Sequence, residues 1–215
     1  MTFRNSGTVP NAGLPTTQQR RGPNRKGAYV FLAVLIGLMW ISEAIDQIFP
    51  VNLDAEGVQP RRLDGLSGII AHPFLHADWA HLIGNSIAIA VLGAIIALSG
   101  LKVLVSTTLM SWLASGVVIW LIGAPAMHIG ASGIVFGFIF FVIVRGIFTR
   151  KLLHLAVGLA IAFYYGLGAL AGLSPMQTGV SWEGHLGGAL GGILAAWSGG
   201  RSRQKKSPTP QKMPR

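Results

Sequence analysis

The chain has 215 residues, of which 51% are hydrophobic and only 11% are charged. Soluble globular domains carry about 25% charged residues, so this composition excludes an ordinary soluble domain and predicts a membrane protein with several spans. The net charge is +10, but the basic residues concentrate in the termini and short loops. That distribution favours topology signals and contact with the lipid bilayer over nucleic-acid binding. Cysteine is absent, which excludes disulfides and a cysteine nucleophile.

Two basic tails flank the apolar part of the chain. Residues 1–27 are polar and rich in Gly, Pro, Gln and Asn, with no short apolar region before a small-residue cleavage site. They are predicted to be a disordered tail rather than a signal peptide. Residues 201–215 are predicted to be a second basic tail of the same kind. Residues 28–200 between them are predicted to form one membrane domain.

Six apolar stretches lie in this domain, each near the length of about 20 residues that crosses a bilayer core as a helix. They span residues 28–49, 80–99, 102–122, 131–148, 152–172 and 184–200. The 42 residues from Val103 to Val144 contain no Lys, Arg, Asp or Glu, which is too long for one span. Gly123-Ala124-Pro125 predicts a turn that divides them. The fold predicted from this pattern is an all-α bundle of six transmembrane helices.

An even number of spans places both tails on one side of the membrane. Fifteen of the 17 Lys and Arg residues then lie on the tail side, and only Arg61 and Arg62 lie on the other. The positive-inside rule therefore predicts a multi-pass protein of the plasma or inner membrane with both termini cytoplasmic and residues 50–79 outside. Apolar side chains between Leu63 and Leu75 predict an amphipathic element in the outer leaflet.

Ser132 lies in Gly130-Ala131-Ser132-Gly133, and His185 lies near the start of the sixth stretch, at a similar predicted depth. A serine hydroxyl is a weak nucleophile until a base removes its proton, and an imidazole is such a base. Polar groups at membrane depth indicate function, so the pair predicts a serine hydrolase with its active site in the bilayer. Taken singly, the serine segment is more often a helix-packing patch and the histidine a hydrogen-bonded structural residue.

Glycines at four-residue intervals predict the close helix contact that a short serine side chain needs to reach an imidazole. They are Gly133 and Gly137 in the fourth stretch, with Gly184, Gly188 and Gly192 on one face of the sixth and Gly187 and Gly191 on another.

His81 and Asn85 are spaced i, i+4 in the second stretch and therefore share one helical face. Both donate hydrogen bonds, as a developing oxyanion requires. An interhelical clasp joining the second and fourth spans is the alternative. Glu183 lies two residues before His185 and points elsewhere if the helix has begun, so a Ser–His dyad is predicted rather than a triad.

Other intramembrane chemistries have little support in the sequence. There is no His-Glu-x-x-His pattern for zinc and no aspartate pair in two apolar stretches. His72, His76 and His81 would form a metal site only if they converged, and no nearby acid or cysteine supports this. No metal or cofactor is predicted.

These segments together resemble a rhomboid protease, the family of intramembrane serine proteases, over roughly residues 28–200. The matching pieces are His72-Pro-Phe-Leu-His76, His81-Leu-Ile-Gly-Asn85, Gly130-Ala-Ser-Gly-Ile-Val-Phe-Gly137 and Gly184-His185. The resemblance implies that Ser132 is the nucleophile, His185 the general base, and His81 with Asn85 part of the oxyanion hole. It also implies that the substrates are single-span membrane proteins cleaved near the outer end of their transmembrane segment.

Two positions depart from the family pattern. Ser67-Gly68 stands where many rhomboids have a Trp-Arg pair, and Phe136 stands where a tyrosine often stacks on the base. A non-enzymatic rhomboid-like scaffold or substrate-binding protein is the main alternative, but such a protein would lack the serine or the histidine. A small transporter is a second alternative, and it would place its polar groups near the bilayer centre.

Overall fold

The computed structural model describes residues 22–177 and 179–204, which form an all-helical bundle. Its six long helices are α1 (Arg25–Ile48), α2 (Trp79–Ala97), α3 (Leu101–Ile122), α4 (Ser132–Thr149), α5 (Leu152–Gly172) and α6 (Trp182–Gln204). The predicted all-α fold is confirmed, and each predicted stretch corresponds to one long helix. α1 begins inside the predicted tail 1–27, and α6 continues past residue 201. Residues 1–21 and 205–215 of the predicted tails lie outside the described residues.

Local chemistry sets several helix ends. The side chain of Asn24 accepts a hydrogen bond from the Gly27 N–H at the start of α1, and Asp78 does the same for the His81 N–H in α2. The turn between α2 and α3 contains Gly100 with a φ of +97°, a conformation that favours glycine. α3 ends at the predicted Gly-Ala-Pro turn.

Five helices, α1 to α5, are long and apolar enough to cross a membrane, judged over the described residues. α6 is not in this group, because its first half is rich in glycine and its end is basic. Its 23 residues would extend about 35 Å, which is sufficient length for a span. The structure thus supports a multi-pass membrane protein, while the sixth crossing stays a prediction.

α6 packs closely against both α3 and α4. A Cβ atom added to Gly188 or Gly192 would overlap the carbonyl oxygen of Gly133 or Gly137 on α4. Gly187 and Gly191, on the neighbouring face, also lie close to the backbone of α3, at Ala114 and Met110. The predicted glycine faces therefore do form helix interfaces. They allow backbone contact where any larger side chain would separate the helices.

The loop of residues 49–78 is folded onto α3. The indole N–H groups of Trp112 and Trp120 donate to the carbonyls of Ile69 (2.9 Å) and Arg62 (2.8 Å). The loop contains only short helical turns, at Leu53–Glu56, Asp64–Leu66, Gly68–Ala71 and His72–Phe74. The last three of these turns follow one another without a break, with helical backbone at Ser67 and Ala71, so the predicted amphipathic element corresponds to an irregular helical segment. Leu63, just before it, is 82% exposed, and the position of the segment in the outer leaflet stays a prediction.

Candidate active site

Ser132 is the first residue of α4 and is half-buried. Two residues earlier, Gly130 has a φ of +108°, a backbone conformation that L side chains rarely adopt. A Cβ on Gly130 would also lie only 2.7 Å from Nε2 of His81. Glycine at this position therefore allows the sharp turn into α4 that places the serine hydroxyl at the start of the helix.

His185 lies in the first turn of α6, only 7% exposed, and its imidazole contacts Ser132. The distance from His185 Nε2 to Ser132 Oγ is 2.9 Å. On the other side of the ring, Nδ1 lies 2.8 Å from the carbonyl oxygen of Gly172, the last residue of α5. Because a carbonyl can only accept, Nδ1 carries the proton and Nε2 is left to accept the serine O–H. This is the tautomer that a general base requires.

The phenyl ring of Phe136 stacks on His185, with ring centroids 3.9 Å apart and planes within 7°. Phe136 is one helical turn beyond Ser132 on α4, so one helix supplies both the hydroxyl and the ring that orients its partner. Ring stacking without a phenolic hydroxyl therefore helps to orient the base. The Gly172 carbonyl shows that a hydrogen bond contributes as well, and no residue type in the sequence could have indicated a backbone acceptor.

Asn85 and His81 lie beside Gly130, close to the start of α4. Asn85 is 7% exposed, and its side-chain Nδ2 has no hydrogen-bond partner. A Cβ on Gly130 would be 3.7 Å from that nitrogen. Nδ2 makes no hydrogen bond to α4, so this atom takes no part in an interhelical clasp. A buried donor without a partner is rare in folded proteins, and such a donor is available to bind a ligand or a transition state.

The first N–H groups of α4 add to this set of donors. The N–H groups of Ser132 and Gly133 precede the first hydrogen-bonded turn, where no carbonyl of the same helix is available to them. The positive end of the helix dipole lies at the same place. Backbone and side-chain donors therefore lie together at the start of α4, around Gly130.

His72 and His76 support this region from the 49–78 loop. The backbone carbonyl of His72 accepts from Gly130 N–H (2.8 Å), and its Nδ1 lies 3.2 Å from the Gly130 carbonyl. His76 packs edge-on against His81 with centroids 5.0 Å apart. Burial lowers the pKa of both loop histidines to about 4, so they are neutral at physiological pH.

The metal alternative for these histidines gains no support. Among the residues that the structure describes, no three His, Asp or Glu side chains are placed so that they could hold a metal ion. His72 instead holds the Gly130 turn, a structural role that the sequence analysis missed because it considered this residue only as a ligand.

Glu183 is directed away from the His185 imidazole. Its Oε1 accepts a hydrogen bond from the Ala124 N–H at 2.9 Å, across the loop that precedes α4. The Nδ1 atom that an acidic third residue would contact is bonded to the Gly172 carbonyl. The geometry is that of a Ser–His pair with a backbone acceptor in place of a carboxylate.

This fold and site define an all-helical membrane protein in which a serine and a histidine from two helices are in hydrogen-bond contact. Comparison with known proteins is consistent with that class, since a model of the Rhomboid domain matches residues 64–202, more than half of the chain. The chain belongs to the rhomboid family.

Several mycobacterial proteins are similar to this chain over most of its length. Uncharacterized proteins of Mycobacterium tuberculosis and Mycobacterium bovis are each 41% identical over 192 residues, covering 85% of this chain and 80% of theirs. An uncharacterized protein of Mycobacterium leprae is 38% identical over 202 residues, covering 88% of this chain and 80% of its own.

Proposed function

We propose that this protein is an intramembrane serine endopeptidase that cleaves transmembrane segments of single-span membrane proteins near the outer face of the plasma or inner membrane. Ser132 is the nucleophile and His185 the general base. The observation that carries the proposal is the 2.9 Å contact between Ser132 Oγ and His185 Nε2, with Nδ1 held by a backbone carbonyl. Family membership and the unpartnered Asn85 donor support it.

Acylation follows from this geometry. Ser132 Oγ bonds to the scissile carbonyl carbon while its proton passes to His185 Nε2. The carbonyl oxygen becomes an oxyanion and accepts hydrogen bonds from Asn85 Nδ2, His81 and the first N–H groups of α4. When the C–N bond breaks, the imidazolium returns its proton to the leaving amine.

Deacylation uses the same groups in reverse. Water attacks the acyl-serine carbonyl, His185 Nε2 takes a proton from that water, and the second tetrahedral intermediate expels Ser132 Oγ, which recovers the proton. The Gly172 carbonyl, bonded to Nδ1–H throughout, favours the charged imidazolium in both stages. Water must therefore reach Ser132, although the residue begins an apolar helix.

The substrate must unwind locally before it can react. A transmembrane helix holds its carbonyls in internal hydrogen bonds, and leaving them unpaired in lipid costs several kcal/mol each. Glycine or other poor helix formers near the cleaved bond lower the cost of unwinding. Substrates are therefore expected to carry such residues near the outer end of their membrane span.

Labelling with a serine-reactive fluorophosphonate tests the proposal directly. The purified protein, in detergent and in liposomes, is expected to be labelled at Ser132, and Ser132→Ala is expected to remain unlabelled. Ser106→Ala, which removes an exposed hydroxyl on α3, is the matched control and should be labelled like the wild type. Absence of label from the folded wild-type protein in both environments would favour a non-enzymatic rhomboid-like scaffold.

Cysteine accessibility tests the orientation, since the chain contains no cysteine to remove. Leu63→Cys is expected to react with impermeant reagents only from outside the cell, and Lys151→Cys or a cysteine in either tail only from the cytoplasm. Ser132→Cys should react with small water-soluble reagents added outside, because hydrolysis requires water at that position. The measurement is labelling in intact cells and inverted vesicles. Labelling of position 132 from the cytoplasm, or from neither side, contradicts an outward-facing site.

A further inference from the structure

Three side chains join the loop before α4 to the first turn of α6. Glu183 Oε1 accepts from the Ala124 N–H at 2.9 Å. His128 Nε2 lies 3.0 Å from the Ala124 carbonyl oxygen, and His128 Nδ1 lies 2.7 Å from Ser181 Oγ. Ala124 is thus bonded to His128 and through it to Ser181, and is bonded separately to Glu183; Ser181 and Glu183 are linked to each other only along the chain. We call these four residues the α6 anchor.

The hydrogen-bond partners determine the tautomer of His128. Since the Ala124 carbonyl only accepts, Nε2 of His128 carries the proton and Nδ1 accepts from the Ser181 hydroxyl. Ser181 Oγ also accepts from the Gly184 N–H (3.3 Å), and the Ser181 carbonyl accepts from the His185 N–H (3.1 Å). Ser181 thus satisfies N–H groups at the start of α6. The tautomer of His128 is opposite to that of His185.

Two side chains of the anchor are buried, while Ser181 is half-buried and Ala124 is exposed, and the anchor is attached to the 49–78 loop. His128 is 7% exposed and Glu183 is 3% exposed. The backbone of His128 exchanges two hydrogen bonds with Val58 (2.9 and 3.1 Å), and the Arg61 guanidinium donates to the Gly123 carbonyl (2.9 Å). Buried polar networks with satisfied partners are rigid, and a group left unpaired in one is costly. The 123–130 loop is therefore held from both sides.

We infer that Glu183 and His128 are positioning residues that set the separation of Ser132 Oγ and His185 Nε2. The inference rests on the proposed function. His128 precedes Ser132 by four residues and Glu183 precedes His185 by two, so the anchor joins the chain just before each reacting group. The anchor touches neither reacting atom. A displacement of about 1 Å at a reacting centre can lower the rate about 10²-fold, so a shift of α6 along α4 would reduce turnover without removing either group.

Paired substitutions at Glu183 test this role. Glu183→Ala should lower kcat for a transmembrane substrate by about 10²-fold with little change in KM. Glu183→Gln keeps an oxygen that accepts from the Ala124 N–H and should remain within about threefold of the wild type. Glu56→Ala removes an exposed carboxylate elsewhere and is the matched control. Wild-type kcat in Glu183→Ala, a change in KM alone, or equal losses in the Ala and Gln variants would overturn the inference.

A second pair of variants tests the same role in case Glu183→Ala does not fold. Ser181→Ala removes the hydroxyl that bonds His128 Nδ1, whereas Ser181→Thr retains one. Thermal unfolding in detergent establishes that each variant is folded. Among folded variants, Ser181→Ala should lose kcat and Ser181→Thr should recover it. Equal turnover of the two variants would count against a positioning role for the anchor.

Imidazole ¹⁵N NMR tests the positioning role of the anchor independently of whether the protein is a protease. The expected wild-type spectrum shows His128 protonated at Nε2 and His185 protonated at Nδ1. Glu183→Ala should shift or broaden the His185 ring signals, and Glu56→Ala should leave them unchanged. If the wild type neither cleaves substrate nor takes the fluorophosphonate, the proposed function fails while this result stands. Unchanged His185 signals in Glu183→Ala refute the inference even if the enzyme is active.

Discussion

Ser132→Ala is expected to lower cleavage of a model transmembrane substrate by about 10⁴-fold or more, and His185→Ala is expected to cause a similar loss. The two side chains act as one unit through the 2.9 Å contact between Oγ and Nε2. Removal of either leaves no activated nucleophile, so the double variant should be no worse than the single variants. The measurement is single-turnover cleavage of a purified single-span substrate in detergent and in liposomes.

Two controls are needed to interpret this result. Thermal unfolding should show that the Ser132→Ala and His185→Ala proteins remain folded, and Ser106→Ala should cleave at the wild-type rate. Losses that multiplied in the double variant would mean that the two residues act independently. Undiminished cleavage by the folded Ser132→Ala variant would disprove the proposed mechanism.

Asn85→Ala is expected to lower kcat about 10²- to 10³-fold with a smaller effect on KM, because the oxyanion that Nδ2 would bind exists only in the transition state and intermediates. His81→Ala should be at least as damaging if it also positions α2. The measurement is the separate determination of kcat and KM, with unfolding temperatures recorded in parallel. Asn52→Ala, an exposed asparagine in the 49–78 loop, is the matched control.

The unfolding temperature distinguishes the two interpretations of Asn85. Nδ2 has no partner in the folded protein, so Asn85→Ala breaks no hydrogen bond made by that atom. We expect a rate defect without a marked fall in the unfolding temperature. A variant with the wild-type rate but a lower unfolding temperature would support the interhelical clasp instead.

Helices were largely predictable from the sequence because hydropathy and turn residues are local properties. The charge-free run from Val103 to Val144 was divided correctly at Gly123-Ala124-Pro125, and α4 begins at Ser132. α6 was predicted as a span from the apolar stretch 184–200, although its hydropathy is weaker than that of the other five. Its close contacts with α3 and α4 account for a helix rich in small residues.

The 49–78 loop shows where local patterns were insufficient. Its apolar residues predicted an amphipathic element between Leu63 and Leu75, and the chain forms an irregular helical segment there, but the way this segment packs on α3 was not predicted. Trp112 and Trp120, far along the chain on α3, hold the loop through its backbone carbonyls. Hydrophobic periodicity in the loop contains no information about these long-range bonds.

The sequence by itself determined which groups are chemically able to react, since a hydroxyl at Ser132, an imidazole at His185 and an amide at Asn85 are properties of residue type. Only the tertiary structure decided that Ser132 and His185, 53 positions apart, lie 2.9 Å from each other. It also placed the Gly172 carbonyl within hydrogen-bond distance of His185 Nδ1, and it paired the Glu183 carboxylate with the Ala124 N–H. The physical reason is that chemical reactivity is a property of each side chain, which the residue type determines. The distances depend instead on glycine-mediated packing of α6 against α4 and on backbone carbonyl acceptors, which the residue type does not reveal.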